Sequence, residues 1–126
     1  MADKGGDRIM ELKNRSQYLD KLISVQDMEV IKVVTGIRRC GKSSLLKLMM
    51  AHLREQGVME EQILSMNFES MQFADMDSKS LYQYVTERES KGKRLYLFLD
   101  EVQKVRDWQD AVNSFRVDLD CDIYVT

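Results

Sequence analysis

The chain has 126 residues and a mass of 14.8 kDa, with 44% hydrophobic and 32% charged residues and a formal net charge of −2. That is the size of one domain, with apolar residues enough for a core and no basic excess to make nucleic acid the default partner. The absence of proline, the two cysteines and the lack of any apolar run near the roughly 18 residues of a membrane span exclude proline-rich linkers, a disulfide framework and a spanning helix, so a cytoplasmic location without membrane contact is expected.

Residues 1–9 are small, charged and glycine-containing, and are set aside as a disordered tail or tag. From Met10 to about Val25, Leu12, Leu19, Leu22 and Ile23 recur at helical spacing among polar residues, which predicts an amphipathic helix. Val30-Ile31-Lys32-Val33-Val34-Thr35 is β-branched and almost wholly apolar, and predicts a strand buried on both faces, as in a parallel sheet. A second helix is predicted from Lys42 to Gln56, with Leu45, Leu46, Met49 and Leu53 on one face and Gly57 at the C-cap. Ile63–Phe68 follows as a strand and Ser78–Ser90 as a helix, with Leu81, Tyr84, Val85 and Arg88 on one face and Gly92 closing it. Leu95–Leu99 is a continuous apolar strand ending in Asp100-Glu101. Val105, Trp108, Val112 and Phe115 keep helical spacing, with the Asp107 carboxylate as a candidate cap, and Ile123-Tyr124-Val125 is a last short strand. Strands alternating with helices predict an α/β fold, a parallel sheet sandwiched by helices.

Gly36-Ile37-Arg38-Arg39-Cys40-Gly41-Lys42-Ser43 matches G-x-x-x-x-G-K-[ST] at every fixed position. A loop that wraps a phosphate turns its N–H groups inward, and Gly36 and Gly41 allow the angles and close approaches that a Cβ would block. The helix that follows adds its free N-terminal N–H groups and the positive end of its dipole. Lys42 brings an ammonium to the β- and γ-phosphates, and Ser43 offers a hydroxyl to Mg²⁺, a hard cation that takes oxygen ligands. The nucleotide-binding residues are therefore Gly36, Ile37, Arg38, Arg39, Cys40, Gly41, Lys42, Ser43 and Ser44. Arg38 and Arg39 either touch phosphate or a neighbouring subunit, or are solvated charge at a loop tip. Cys40 is most simply a small loop residue.

A buried apolar strand that ends in two carboxylates is expensive unless they meet a cation. Ligands of open α/β sheets bind outside the carboxyl ends of the strands, and both Ser43 and Asp100 follow such ends. They can therefore converge on one Mg²⁺, with Ser43 and Asp100 as its ligands, Asp100 through water, while Glu101 accepts a proton from the attacking water or orients it. Lys42 and Glu101 are the catalytic candidates.

With these residues in place, the sequence resembles the bacterial and archaeal AAA-type ATPases, whose phosphate loop reads G-I-R-R-x-G-K-[ST] and whose acidic motif reads L-D-E-[IV]-Q. Here those are Gly36 to Ser43 and Leu99 to Gln103; Asn67-Phe68-Glu69 and Trp108 add weaker likeness. The resemblance implies a P-loop NTPase core in which the phosphate-loop strand and the acidic strand are separated by the last strand. It implies Mg-dependent binding and hydrolysis of ATP, so ATP and Mg²⁺ are the expected cofactors. It also implies a polar sensor residue just beyond the last strand, a further strand and helical lid, and a C-terminal domain. On that basis residues 10–126 are a partial P-loop domain, truncated after its fourth strand, from the N-terminal part of a larger protein. A homo-oligomer completing the site in trans and an unidentified protein or nucleic-acid client are the implied partners. A nucleotide-gated regulatory or scaffold module with little or no hydrolysis is the alternative, ahead of a small-molecule phosphotransferase.

Other residues carry weaker readings. His52 has no partner at metal-ligand spacing, and Cys121 reads as core filling. Asn67 is either a partner of the catalytic carboxylate or water, or turn chemistry. Trp108 anchors its helix, and Tyr18 is a candidate to stack on adenine.

Overall fold

The computed structural model describes residues 15–28, 30–34 and 39–126. In chain order these form α1 (Arg15–Ser24), β1 (Lys32–Val33), α2 (Arg39–Glu55), β2 (Ile63–Asn67), α3 (Ser78–Glu87), β3 (Leu95–Asp100), α4 (Trp108–Asp118) and β4 (Cys121–Val125). Short 3₁₀ turns lie at Glu60–Gln62, Met71–Phe73 and Val102–Lys104. The expected tail and the start of the first helix, including Leu12, fall outside the described residues.

The strands form one parallel sheet in the order β1-β4-β3-β2. This is the α/β sandwich expected, with β4 between the strand that leads to the phosphate loop and the strand that ends in Asp100. Parallel strands need crossovers, and each crossover puts a helix on a sheet face. Alternation along β3 divides the core accordingly. Leu95, Leu97 and Leu99 join Met66, Ile123 and Val125 under α3 and α4, against Leu81, Val85, Val112 and Phe115. Tyr96, Phe98 and Tyr124 face the other way, under α1 and α2, against Leu22, Leu45, Leu46, Met49 and Leu53. The Phe98 and Tyr124 rings stack at 4.7 Å between centroids.

Several boundaries differ from those expected. The first strand is two residues long and sits at the sheet edge, and it is not buried on both faces: Lys32 and Val34 are buried, while Val33 is 58% exposed. An edge strand has a pairing neighbour on one side only, and no described helix covers the Val33 side. The third helix stops at Glu87 instead of Ser90. Arg88 there stacks its guanidinium 3.5 Å from the Tyr84 ring centroid, and Gly92 (φ 80°) belongs to the turn beyond. Asp107 does precede α4, but with φ 58° and no side-chain cap; its backbone carbonyl accepts from Asp110 N–H at 3.0 Å instead. Gly57 does close α2 at φ 96°. The Gly57 and Val58 N–H groups donate to the Arg54 and Leu53 carbonyls, each at 3.0 Å, in a Schellman arrangement.

The amino end of the sheet carries a buried polar network. Lys32 and Asp122 pair with side chains 3% and 0% exposed. Lys32 Nζ also donates to the Met28 carbonyl (2.6 Å), and Asp122 Oδ2 accepts from Tyr124 O–H (2.7 Å) and Asp27 N–H (3.0 Å). Asp27 in turn accepts from Tyr96 O–H and Arg94 Nε, both at 2.8 Å. Burial and the Asp27 carboxylate push the Tyr96 hydroxyl up to about 12. Burial alone would raise Asp27, but the Tyr96, Gln26 and Arg94 contacts together hold it below the ordinary carboxylate value. The network ties the segment between α1 and β1 to β4 and β3, and so sets where β1 delivers the chain.

Removing one partner of a buried pair strands the other charge. Asp122→Ala is expected to lower unfolding stability by about 3–5 kcal/mol in equilibrium denaturation. A loss under about 1 kcal/mol would mean that Lys32 escapes to solvent.

Candidate functional site

The carboxyl ends of the strands collect the chemically useful groups. Asp100 ends β3 and is buried, 7% exposed. Ser43 stands in the first turns of α2, and its hydroxyl donates to Asp100 Oδ2 at 2.6 Å. Two motifs 57 residues apart thus meet side chain to side chain. The helix starts at Arg39, earlier than the Lys42 expected. The first four N–H groups of a helix have no intrahelical partner, so the first turn, ending at Gly41, contributes free donors at this edge. Gly41 lies within the helix, which leaves close approach, not a left-handed angle, as the reason for a glycine there. Lys42, Ser43 and Ser44 are half-buried. Gly36, Ile37 and Arg38 lie outside the described residues, as do the side chains of Arg39 and Cys40.

Thr126 is the residue at this edge that motif reading missed. Its hydroxyl donates to Asp100 Oδ1 at 2.5 Å, and Thr126 Oγ1 accepts from Glu101 N–H at 2.9 Å. Its backbone carbonyl accepts from Val102 N–H at 3.2 Å, and its N–H donates to the Leu99 carbonyl at 3.0 Å. Each Asp100 oxygen therefore has one hydroxyl donor, Ser43 on one side and Thr126 on the other. The signal was present in the chain: Thr126 is the first polar residue after an apolar run, as Asp100 is on the neighbouring strand.

Glu101 is half-buried and left-handed, at φ 60°, ψ 45°. A non-glycine residue there costs about 1–3 kcal/mol and persists only where its surroundings hold it. The Thr126 contacts hold it from one side. From the other, Gln103 Nε2 donates to Glu101 Oε1 at 2.6 Å.

The other candidates separate. Asn67 aligns with Asp100 in the sheet, but its Oδ1 accepts from Glu69 N–H at 3.0 Å, which is turn chemistry. Tyr18 is half-buried and packs against the α1–α2 core, and with Leu22, Val33, Val34 and Leu45 it lines a cleft beside β1 and α2. Trp108 is half-buried against the α3–α4 core. Cys121 is a free thiol pushed up to about 11 by burial, so it is no ready nucleophile.

Among the described residues no group of three or more His, Cys, Asp or Glu could hold a metal. Mg²⁺ keeps several waters and takes one or two protein oxygens together with phosphate. Ser43 Oγ and Asp100 Oδ2 are two hard oxygens at one place, and Asp100 has no cationic hydrogen-bond partner among the described residues. No described helix is long and apolar enough to cross a membrane.

Three comparisons bear on the chain. Residues 29–126 match the family described as AAA domain. An uncharacterized protein of Haemophilus influenzae is 39% identical over 115 residues, which are 90% of this chain and 29% of that relative. The chain thus spans less than a third of the length of the relative it matches. No solved structure matches.

Thr126→Val removes one hydroxyl that serves both Asp100 and Glu101. It is expected to cost about 1–3 kcal/mol of unfolding free energy in a denaturant titration, since a buried acceptor and a strained turn both lose a partner. An unchanged midpoint would show that the backbone contacts of Thr126 suffice.

Proposed function

The chain belongs to the AAA domain family, and from that premise we propose that it binds ATP with Mg²⁺ at the carboxyl edge of its sheet and forms the hydrolytic site of an ATPase. The observation that carries this reading is the 2.6 Å contact between Ser43 and Asp100. It brings the end of the phosphate-loop motif to the end of the acidic strand, where Mg²⁺ needs both.

The roles follow from position. The backbone of Gly36 to Ser43 and the start of α2 cradle the phosphates, with Ser44 next in the same helix. Lys42 places its ammonium against the β- and γ-phosphate oxygens. Ser43 Oγ and Asp100 would hold Mg²⁺, whose charge neutralises phosphate oxygens when the ion is bound. Ser43 exchanges its bond to Asp100 for that role, while Thr126 keeps Asp100 in place through Oδ1. Glu101 takes the proton of the attacking water. The cleft of Tyr18, Leu22, Val33 and Leu45 lies next to β1 and supplies an apolar wall for the base. Turnover by this chain alone is expected to be slow, because an arginine supplied by a neighbouring subunit can be worth ~10³–10⁵ in rate.

Two substitutions separate binding from chemistry. Lys42→Ala is expected to weaken Mg-ATP binding about 10–100-fold in calorimetry, the worth of a charge-assisted contact to phosphate; equal affinity would remove the phosphate-loop assignment. Glu101→Gln is expected to keep ATP affinity and lose turnover by about 10²–10⁴ in the full chain. Parental turnover there would leave Glu101 without the role of base.

A further inference from the structure

Glu101 is followed at once by the 3₁₀ turn Val102–Lys104. Val102 and Val105, each 2% exposed, root that turn in the α3–α4 core. Lys104 N–H donates to the Glu101 carbonyl at 3.2 Å, so the chain folds back over Glu101. The fold-back is what brings Gln103, two residues on, to face the Glu101 carboxylate, with Nε2 donating to Oε1 at 2.6 Å. Gln103 itself is exposed. A hydrogen bond at an exposed position adds little to stability, because water offers both groups an equal alternative. What it does constrain is the carboxylate. A glutamate side chain has several staggered rotamers, and an amide on one oxygen selects among them.

We propose that Gln103 is the positioning residue of Glu101: its amide holds Oε1 and thereby presents Oε2 to the water that attacks the γ-phosphate. The inference rests on the reading of Glu101 as the base. In the step served, the water oxygen forms a bond to the γ-phosphorus, the bond from that phosphorus to the bridging oxygen of the leaving diphosphate breaks, and the water proton passes to Oε2. Gln103 does not touch the nucleotide. It acts through Glu101 by removing the rotamers in which Oε2 points elsewhere, and a misplacement of about 1 Å at a reacting group is costly. The left-handed backbone at Glu101 serves the same end. Thr126 fixes the backbone of the base, Gln103 fixes its head, and the strain of the turn is confined to the residue that needs a defined direction.

The test is steady-state ATP turnover and ATP affinity of the full chain with Gln103→Met, which keeps length and neutrality but has no N–H donor. The expected result is kcat about tenfold lower, with KM, ATP affinity and Tm unchanged. In a Glu101→Gln background the same substitution is expected to change nothing further, because the two residues act as one unit. Parental kcat in Gln103→Met, or a loss that tracks a fall in Tm or ATP affinity, overturns the positioning role. So does a full further loss in the Glu101→Gln background. If Glu101→Gln alone turns over ATP at the parental rate, the reading of the base fails and carries this inference with it, an outcome distinct from a silent Gln103→Met beside an inactive Glu101→Gln.

Discussion

A strand paired in parallel on both sides has its backbone groups consumed by the ladder and two faces to cover; β3 is paired on both sides over Tyr96–Leu99 and buried along the whole of Leu95–Asp100. Everything else in the chain is arranged around that demand. The odd-numbered leucines call for α3 and α4, and Tyr96 and Phe98 call for α1 and α2. Because the neighbours are parallel, their carboxyl ends fall at the same edge as Asp100. The ladder pairs Asn67 with Asp100 and Leu99 with Val125, so the first residues past β3 and β4 must meet. Glu101 and Thr126 do so through the Glu101 N–H and the Thr126 hydroxyl. The site is in this sense a consequence of the sheet.

The parts of this arrangement that announce themselves in sequence are the ones governed by local pattern. The apolar run before Asp100, the helical spacing of Leu45, Met49 and Leu53, and the glycine after α2 each report a period or a backbone angle, and each is found where it was expected. The phosphate-loop and acidic motifs were equally visible, and the distance between Ser43 and Asp100 follows once the strand order is known. The failures also have a common cause. A run such as Val30 to Thr35 reads as buried because its residues are apolar, yet burial of Val33 depends on what lies beside an edge strand. Asp107 is a good capping residue by type, but its φ of 58° turns its side chain away from that use. Thr126 was passed over because a lone threonine after a short apolar run is a weak signal, and its meaning comes from the strand next to it.

Lys32 illustrates the same limit from the opposite direction. A lysine in an otherwise apolar strand looks like a minor irregularity. Its partner Asp122 lies 90 residues away, with both side chains shut off from water. Nothing in either local sequence signals the pair, although each alone would be an expensive residue to bury. The pair also explains how so short a strand as β1 is held. Two ladder residues give little pairing energy, and the ion pair with Asp122 and the Lys32 bond to the Met28 carbonyl supply the register that length does not.

The two ends of the sheet are therefore built on different chemistry. At the amino end, ions meet ions: Lys32 with Asp122, and Arg94 with Asp27 and Asp120. The Lys32–Asp122 contact is costly to open, because both side chains are shut off from water and either alone would be a stranded charge. At the carboxyl end the described partners of Asp100 are neutral hydroxyls, from Ser43 and Thr126. A hydroxyl both donates and accepts, so it can turn from a carboxylate to a cation without stranding a charge. The first kind of bond suits a fixed frame, and the second suits a place where partners are exchanged. Among the described residues at that edge, one position departs from easy exchange. Glu101 is held at its backbone by Thr126 and at its carboxylate by Gln103 while sitting in a strained left-handed conformation. Strain there is tolerated because the frame below, from the buried β3 to the charged amino end, leaves the turn little freedom to relax.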